Sequence, residues 1–320
     1  MGSDDPSYKT EMTTGPKPTA KKTRAQRFGA HLSVAGGLEN AFDAGRRTGC
    51  DCLQIFVKNQ RQWSAKPLTD EQISAYKAAE RRTGLSPVVA HASYLLNLAS
   101  PLAANRKRSS LALIDELTRC EALGVSGLVL HPGAHMGDGV DKGIRRIAES
   151  IGQVHKATPG FAVRILLETT AGQGSAIGHE ISHLGRIIDA VKQPERLMVC
   201  LDTCHLFAAG YDLRDEDAYG RMVDELAECI GLQRIACIHT NDSKMPCGSR
   251  VDRHEHITKG EIGKKGFANL LNDPRLAHAP RILETPKGAD GRGTDLDKVN
   301  LARLRRLIKA SMQPTPASRH

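Results

Sequence analysis

An apolar run in the second half of the chain ends in side chains of a metal-ligating type. The run LMVCLD, residues 197–202, is apolar up to Asp202, and His205 follows three positions later. Carboxylate and imidazole groups are common ligands of zinc and similar divalent ions. One such ending would mean little by itself, so the other predicted strands decide its significance.

Most of the other apolar runs end in the same kinds of residue. The endings are His31, His91, His131, Glu168, Asp202, His239 and Glu284. Carboxylates gathered in one place would repel one another, and their pKa values would rise, unless cations neutralise them. At about three protein ligands per catalytic ion, a ring of this size predicts two or three divalent ions.

The runs alternate with helical patterns, which predicts a parallel α/β fold. The predicted strands span residues 27–31, 50–57, 86–91, 127–131, 162–168, 197–202, 234–239 and 281–284. Apolar residues three and four apart predict helices that include 101–123, 143–157, 179–192 and 215–230. In one domain this pattern predicts a closed (β/α)₈ TIM barrel, in which all strand ends open onto one active face. An open doubly wound sheet is the alternative, but no G-x-G-x-x-G follows the first strand.

The composition is that of an ordinary globular chain with a basic excess. The 320 residues are 40% hydrophobic and 25% charged, and the formal net charge is +9. Positive charge suggests an anionic partner, although it is a weak signal without other features. The eight cysteines contain no C-x-x-C pair, so they are predicted to be reduced core thiols.

The two ends of the chain differ from its centre. Residues 1–27 are polar and aperiodic and are predicted to form a disordered basic arm. Residues 28–310 are predicted to form the barrel domain, and 311–320 a flexible tail. No membrane-length apolar run or signal-like segment is present, which predicts a cytoplasmic protein, or a nuclear or mitochondrial one if the source is eukaryotic.

A ring of several metal ions in a basic protein favours phosphodiester hydrolysis. Multi-metal sites stabilise displacement at phosphorus because they bind both the attacking and the leaving oxygen. Sugar isomerases use the same barrel with metal ions, and the strand endings alone leave that alternative open.

Longer motifs narrow the choice. The chain resembles the endonuclease IV family of apurinic/apyrimidinic (AP) endonucleases from Phe28 to about Arg306. The matching stretches include GAHLSVAGGL, KNQRQW, HASYLLNL, HPGAH, ETTAGQGS, CLDTCHLFAAGYD, HTNDSK and GSRVDRH. The resemblance implies a zinc-dependent deoxyribonuclease IV that cuts the phosphodiester 5′ to an abasic nucleotide. The products would be a 3′-hydroxyl and a 5′-deoxyribose phosphate, and 3′-blocking groups would also be removed.

The resemblance also implies a site of three zinc ions, with Mn²⁺ as an alternative at one position. The implied ligands are His91, His131, Glu168, Asp202, His205, His239, Asp252, His254 and Glu284. His91 and His131 would hold one ion, and Glu168 would bridge it to a second ion held by Asp202, His239 and Glu284. His205, Asp252 and His254 would hold the third. A hydroxide near the catalytic Glu168 would attack phosphorus, whereas His31 would have a supporting or structural role.

Duplex DNA with abasic sites is the implied partner of a chain that is expected to be a monomer with no obligate protein partner. By resemblance, the loops that contain Arg61, Tyr94 and Leu95 enter the minor groove, and these residues fill the gap in a bent duplex. Simple loop packing is the alternative role for Tyr94 and Leu95. Trp63 is expected to anchor its own loop.

The remaining histidines are not expected to be metal ligands. His155, His179, His183 and His278 are predicted to lie at the surface. His135 receives no metal role, and His256 is expected to neighbour the site without being a ligand.

One residue departs from the family pattern in a way that bears on the third ion. Thr258 occupies a position where relatives usually have glycine, while Gly260 keeps the second glycine. Because a β-branched residue resists positive φ, the loop is predicted to relax to negative φ and to leave Asp252 and His254 in place.

Two rival functions are distinguishable by the third ligand group. A sugar isomerase or epimerase would use one or two metal ions and would not need His205, Asp252 and His254. A catalytically silent DNA-binding relative should have lost at least one ligand, and none of the nine is missing.

Overall fold

Eight parallel strands close on themselves into a barrel in the computed structural model, which describes residues 26–309. The strands are β1 (Phe28–His31), β2 (Cys52–Ile55), β3 (Val88–His91), β4 (Gly127–Leu130), β5 (Arg164–Glu168), β6 (Leu197–Asp202), β7 (Ile235–His239) and β8 (Arg281–Leu283). Each strand pairs with its neighbours in chain order, and β1 pairs with β8 to close the ring. The predicted TIM barrel is confirmed, and the closed ring excludes the open doubly wound sheet.

Helices surround the barrel and connect successive strands. They are α1 (Asn40–Thr48), α2 (Asp70–Thr83), α3 (Ala103–Leu123), α4 (Val140–Ala157), α5 (Ile181–Ala190), α6 (Thr203–Ala209), α7 (Glu216–Cys229), α8 (Gly263–Leu271) and α9 (Leu296–Arg306). The predicted helices are confirmed with end shifts of a few residues. For example, α3 begins at Ala103, so Pro101 lies before the helix rather than in its first turn.

The core has two layers because the strands of a barrel are buried on both faces. The larger layer fills the space between the strands and the helices. The smaller one lies inside the barrel and consists of Cys52, Val89, Val129, Leu166, Cys200, Cys237 and Ile282. All eight cysteines are free, and six of them are buried, as expected for reduced core thiols.

Two short antiparallel strand pairs order the loops at the carboxyl ends of the barrel strands. Gly133–Ala134 pairs with Ala176–Ile177, which joins the loops after β4 and β5. Asp242–Ser243 pairs with His254–Glu255 after β7, and this pairing sets His254 opposite Ser243. Backbone pairing therefore positions one of the predicted ligands.

The loop that contains Thr258 does not relax as predicted. Thr258 has a φ of 64°, and the prediction of negative φ is wrong. The Lys259 N–H donates to the His256 carbonyl at 2.9 Å, so Thr258 is the third residue of a four-residue turn. The two central residues of this turn are Ile257 and Thr258, and of these only Thr258 has positive φ. This is the pattern of a type II turn, which favours glycine at the third position. The surrounding backbone therefore imposes the conformation on threonine.

The neighbouring Gly260 explains why this turn is fixed. A Cβ atom at Gly260 would lie 2.2 Å from the Ser243 carbonyl oxygen, so the chain passes too close for any side chain. The Asp242 carboxylate accepts the backbone N–H groups of Gly260 and Ile262 at 3.0 and 2.9 Å. These contacts hold the segment after Thr258 against the Asp242–Ser243 strand.

We expect Thr258→Gly to raise the free energy of unfolding by about 1 kcal/mol. Positive φ in a β-branched residue costs about 1–3 kcal/mol, and the extra chain entropy of glycine offsets part of the gain. Thermal unfolding of the metal-loaded protein measures the change, and incision activity should stay within a few-fold. Lys259→Gly is the control, since Lys259 is exposed and lacks positive φ, and it should lower stability. A loss of stability in Thr258→Gly would contradict the strain argument.

The predicted arm (1–27) and tail (311–320) lie almost wholly outside the described residues and stay predictions. The last two residues of the predicted arm are described, and both contact the barrel domain. The Gln26 side chain donates to the Leu271 carbonyl at 2.7 Å, and Arg27 donates to the Ser86 carbonyl at 2.6 Å. Within residues 26–309, no helix has both the length and the apolar character required to cross a bilayer.

Candidate metal centre

Glu168, at the end of β5, lies in the middle of a cluster of imidazoles. Its Oε2 atom is 3.2 Å from His91 Nε2 and 2.8 Å from His131 Nε2. Its Oε1 atom is 2.8 Å from His239 Nδ1 and 3.5 Å from His205 Nδ1. One oxygen thus faces the pair at β3 and β4, and the other faces β7, as a bridging carboxylate would.

A second group adjoins Glu168 at the ends of β6, β7 and β8. His239 Nδ1 lies 3.1 Å from Glu284 Oε2 and 3.8 Å from Asp202 Oδ2. Asp202 and His239 are fully buried, because their strands are neighbours in the barrel and pair in register at these residues. The strand ends alone therefore bring these three side chains together.

The third group combines a helix residue with two loop residues. His205 lies in the first turn of α6, where its backbone N–H donates to the Asp202 side chain at 2.9 Å. His205 Nε2 is 3.2 Å from Asp252 Oδ2, and His254 Nε2 is 3.3 Å from Asp252 Oδ1. The turn at Thr258 has not separated Asp252 from His254. All nine predicted ligands thus lie in one continuous cluster.

Most of the imidazoles are oriented through the ring nitrogen that points away from the cluster. Such contacts fix the tautomer and the ring position of a metal ligand. The Nδ1 atoms of His91, His205 and His254 lie 2.7, 2.8 and 3.2 Å from the backbone oxygens of Ala92, Thr169 and Glu284. For each of these three rings the Nε2 atom remains directed toward the carboxylates.

Gln54 is a site residue that the sequence analysis missed. It is fully buried in β2, where its Oε1 lies 2.7 Å from His239 Nε2. Its Nε2 donates to Glu284 Oε1 at 2.6 Å and lies 2.9 Å from His31 Nδ1. His31 Nδ1 is also 3.2 Å from Glu284 Oε1, which agrees with its predicted supporting role. In the sequence, the only sign of this role is that Gln54 is the one polar residue in the apolar stretch CLQI.

Asn241, just after β7, was missed as well. Its Nδ2 donates to Asp202 Oδ2 at 2.8 Å, and its Oδ1 accepts the Glu284 backbone N–H at 2.7 Å. Asn241 is fully buried, so both contacts are shielded from water. The amide therefore ties the Asp202 carboxylate to the backbone of Glu284.

The charges of the cluster fit divalent cations. Burial alone would raise the pKa of the Glu168 carboxyl, but the His131 and His239 rings hold it well below its usual value. Burial alone would lower the pKa of the His239 ring, yet Glu284 and Glu168 raise it well above its usual value. The buried Glu168 carboxyl therefore depends on compensating positive charge, which bound cations would supply.

The distances between the ligand atoms give a second test of whether these residues fit a divalent metal ion. His254 Nε2 is buried without a hydrogen-bond partner, and it faces Asp252 and Asp202 at 3.3 and 3.6 Å. Ligands about 2.0–2.2 Å from a tetrahedral zinc lie about 3.3–3.6 Å from one another. The spacings around Glu168 and Asp252 are close to this value, so the residues present fit a zinc-type site.

The loops predicted to enter DNA border the cluster. Tyr94 is 60% exposed and Leu95 38%, so both side chains are accessible at the edge of the cluster. The Tyr94 ring lies 5.2 Å from the His91 ring, and both loop residues line a cavity of about 320 Å³ that reaches His131. Arg61 is exposed on the adjacent loop.

A buried ion pair beneath these two loops connects them. Lys58 Nζ lies 3.3 Å from Glu116 Oε1, and the two side chains are 2% and 1% exposed. Lys58 also donates to the Trp63 carbonyl at 3.0 Å, while Glu116 accepts the Ser93 backbone N–H at 3.1 Å. The Ser93 hydroxyl donates to the Gln60 carbonyl at 2.6 Å. The pair therefore joins the loop of Arg61 to the loop of Tyr94.

Trp63 packs against α3 and the core, as expected for an anchor of its loop. The Arg108 guanidinium lies 4.1 Å from the centre of its ring, and the side chain packs partly buried against the core. This placement suits an anchor of the loop rather than a stacking surface for a base.

The surface prediction is wrong for two of the other histidines. His155 and His183 are each only 3% exposed, because they lie on the inward faces of α4 and α5. His278 is exposed, whereas His179 is partly buried. His256 Nδ1 lies 3.0 Å from Asn300 Nδ2 and His135 Nδ1 accepts the Gly139 N–H, so both remain outside the cluster.

Comparison with known proteins agrees with this fold and site. The family described as Xylose isomerase-like TIM barrel matches residues 42–307. A probable endonuclease 4 of Chloroflexus aggregans is 50% identical over 283 residues, which cover 88% of this chain and 98% of the relative. The crystal structure of endonuclease IV from Thermus thermophilus superposes with a TM-score of 0.76 at 34% identity, covering 88% and 98% of the two chains.

A more distant structure shares the fold alone. A D-tagatose 3-epimerase-like protein superposes with a TM-score of 0.68 at 18% identity, over 88% of this chain and 97% of that one. Fold and site together define a metal-binding TIM barrel of the xylose isomerase-like class. Within that class, this chain belongs to the endonuclease IV family.

Proposed function

We propose that this protein is a DNA-repair endonuclease that hydrolyses the phosphodiester 5′ to abasic sites in duplex DNA. The products are a 3′-hydroxyl and a 5′-deoxyribose phosphate, and 3′-blocking groups are a second substrate. The observation that carries the proposal is the convergence of all nine ligand-type side chains on one cleft around Glu168. Membership of the endonuclease IV family supports the same reaction class.

Three zinc ions are the proposed cofactors, with Mn²⁺ as an alternative at one position. His91, His131 and Glu168 would hold the first, and Asp202, His239, Glu284 and the bridging Glu168 the second. His205, Asp252 and His254 would hold the third. When bound, such ions activate water and neutralise the charge that develops on the phosphate oxygens.

The residues of the chain prepare the cleft for this reaction. Glu168 remains anionic despite complete burial, so it is able to orient a water nucleophile without first losing a proton. Gln54 and Asn241 hold Glu284, His239 and Asp202 in place through buried hydrogen bonds. Catalysis then needs little movement of the charged groups at the moment of reaction.

Abasic-site selection is assigned to Arg61, Tyr94 and Leu95. Their exposed side chains border the cleft, where an apolar wedge is able to occupy the space of a missing base. The net charge of +9 favours the DNA backbone at low salt. We place the protein as a monomer in the bacterial cytoplasm, or in the nucleus or mitochondrion of a eukaryotic source.

Arg61→Ala and Tyr94→Ala should weaken binding to abasic duplex more than they slow cleavage of the bound substrate. The reason is that both side chains lie at the border of the cleft rather than among the ligands. Binding titrations and single-turnover rates at saturating enzyme separate the two effects. Arg221→Ala and Leu111→Ala, exposed on α7 and α3, serve as controls. A cleavage step as impaired as the affinity would place both residues in the catalytic machinery.

A duplex carrying one synthetic abasic site tests the proposed function directly. Incision on its 5′ side, absent from the intact duplex and abolished by a chelator, is the expected result. The third ligand group argues against an isomerase, because one or two ions suffice for that reaction. Failure of fully zinc-loaded protein to cut the abasic duplex would overturn the proposal.

A further inference from the structure

A second cluster of metal-ligating side chains lies at the start of α5, outside the centre around Glu168. Residues 179–183 read HEISH, which places His179 and His183 four positions apart with Glu180 between them. His183 lies in the first turn of α5, and Glu180 is the residue that precedes the helix. No step of the proposed DNA incision uses these three side chains.

The three side chains converge on one point. Glu180 Oε1 lies 3.8 Å from His179 Nε2, and Glu180 Oε2 lies 3.5 Å from His183 Nε2. The two imidazole rings meet edge to face with their centres 4.8 Å apart. One donor atom from each residue lies within 4.8 Å of the other two, so a small movement of the side chains would bring all three to the spacing of tetrahedral zinc ligands. Two imidazoles and a carboxylate form a common zinc ligand set.

His179 is held in place before any ion binds. Its Nδ1 lies 2.8 Å from the Ala176 carbonyl oxygen, to which it donates as the neutral ring, so Nε2 is left as the electron-pair donor. The backbone at Gly172 (φ +76°) passes so close that a Cβ there would lie 2.9 Å from His179 Cβ. The loop thus fixes the ring from one side while its Nε2 faces Glu180.

His183 is also fixed, but it must change its hydrogen bonding. It is 3% exposed, and its Nδ1 accepts the Gly178 N–H at 3.4 Å, near the upper limit for a hydrogen bond. Coordination through Nε2 places the ring proton on Nδ1 and gives up this long contact for a metal–nitrogen bond. The exchange leaves the buried Gly178 N–H facing the Nδ1 proton, a cost that the metal–nitrogen bond must offset.

We propose that His179, Glu180 and His183 form a separate site for one zinc-type divalent ion, additional to the ions of the centre around Glu168. The site is structural rather than hydrolytic. In peptidases with an H-E-x-x-H motif the glutamate is a general base, whereas Glu180 faces both imidazoles and takes the place of the third ligand. The inference is independent of the proposed function.

The position of this site gives the ion a role. The segment between Glu168 and α5 folds back on itself, and the Thr170 N–H donates to the Gly178 carbonyl at 3.0 Å. Thr170, Gln173 and Ala176 of this segment line the cavity that contains His131 and His205. An ion at the start of α5 therefore clamps the loop that forms one wall of the catalytic cleft.

Metal content of matched variants tests the proposal. The full-length, zinc-loaded protein is equilibrated by dialysis against micromolar zinc and analysed for bound metal per chain. His179→Gln and Glu180→Gln should each hold one zinc fewer than the unmodified protein, since both remove a ligand. His278→Gln, a change at an exposed histidine on the other end of the barrel, should lose none.

A second measurement separates loss of the ion from loss of folding. Added zinc should raise the unfolding temperature of all three proteins through the centre around Glu168, and it should raise that of the unmodified protein and of His278→Gln further than that of His179→Gln. Equal zinc content in the unmodified protein and in His179→Gln, with both chains folded by circular dichroism, would overturn the proposal. So would an equal thermal response to zinc in these two proteins.

Discussion

Glu168→Gln is expected to lower the rate of incision by at least about 10³-fold while leaving affinity for abasic duplex nearly unchanged. The amide keeps the shape of the side chain but removes the charge that both His131 and His239 face. A neutral group at this point no longer bridges two ions or orients the nucleophile. The net positive charge of the chain, which favours the phosphate backbone, is not reduced by this change, so binding should persist. Single-turnover cleavage and binding titrations measure the two quantities.

The control for this variant is the same chemical change at a remote position. Glu149 is exposed on α4, and Glu149→Gln should keep full activity. If Glu168→Gln cut abasic DNA within tenfold of the unmodified rate, the catalytic assignment of Glu168 would be wrong. Metal analysis of the variant shows whether the loss arises from a missing ion or from a misplaced nucleophile.

Removal of the metal ions is the second large effect. Prolonged treatment with EDTA or phenanthroline should lower incision by at least about 10³-fold, and added zinc rather than magnesium should restore it. The loss should be slow, because His91, Glu168, Asp202, His205 and His239 are each at most 3% exposed. The metal-free chain should also unfold at lower temperature, since it loses the binding energy of the ions.

A non-chelating phenanthroline isomer is the control and should have no effect. Elemental analysis of the treated protein links activity to metal content. Full incision by a chain shown to contain no metal would contradict the proposed chemistry. Full activity with magnesium alone would contradict the preference for zinc that imidazole ligands imply.

The strand endings were the most predictive part of the sequence. Parallel strands in a barrel share one face, so an apolar run that ends in Asp202 or His239 places its last side chain at that face. Helical periodicity in turn indicated the connections between strands. Assignment of Asp252 and His254 depended on motif resemblance, because both lie in a loop without periodic pattern.

Other features depended on contacts between distant parts of the chain. Gln54 lies 230 positions from Glu284, and nothing in the stretch CLQI shows where its amide points. His155 looked like a surface residue until the apolar stripe of α4 was seen to include it. Thr258 retains positive φ because the turn is held by Gly260 and Asp242, and these tertiary contacts outweigh the preference of threonine.

The Lys58–Glu116 pair has a consequence for how lesion recognition can change during evolution. The residues proposed to meet the DNA are exposed and free to vary, but the two loops that present them are joined through buried charges beneath them. Replacing Lys58 alone would leave the Glu116 carboxylate uncompensated in the interior at a cost of about 3–5 kcal/mol, whereas replacing Glu116 alone would leave Lys58 paired with the Asp115 carboxylate at 2.9 Å. A change at Lys58 should therefore require a compensating change at Glu116, and new lesion preferences should arise by exchange of the loops together with the buried charges beneath them.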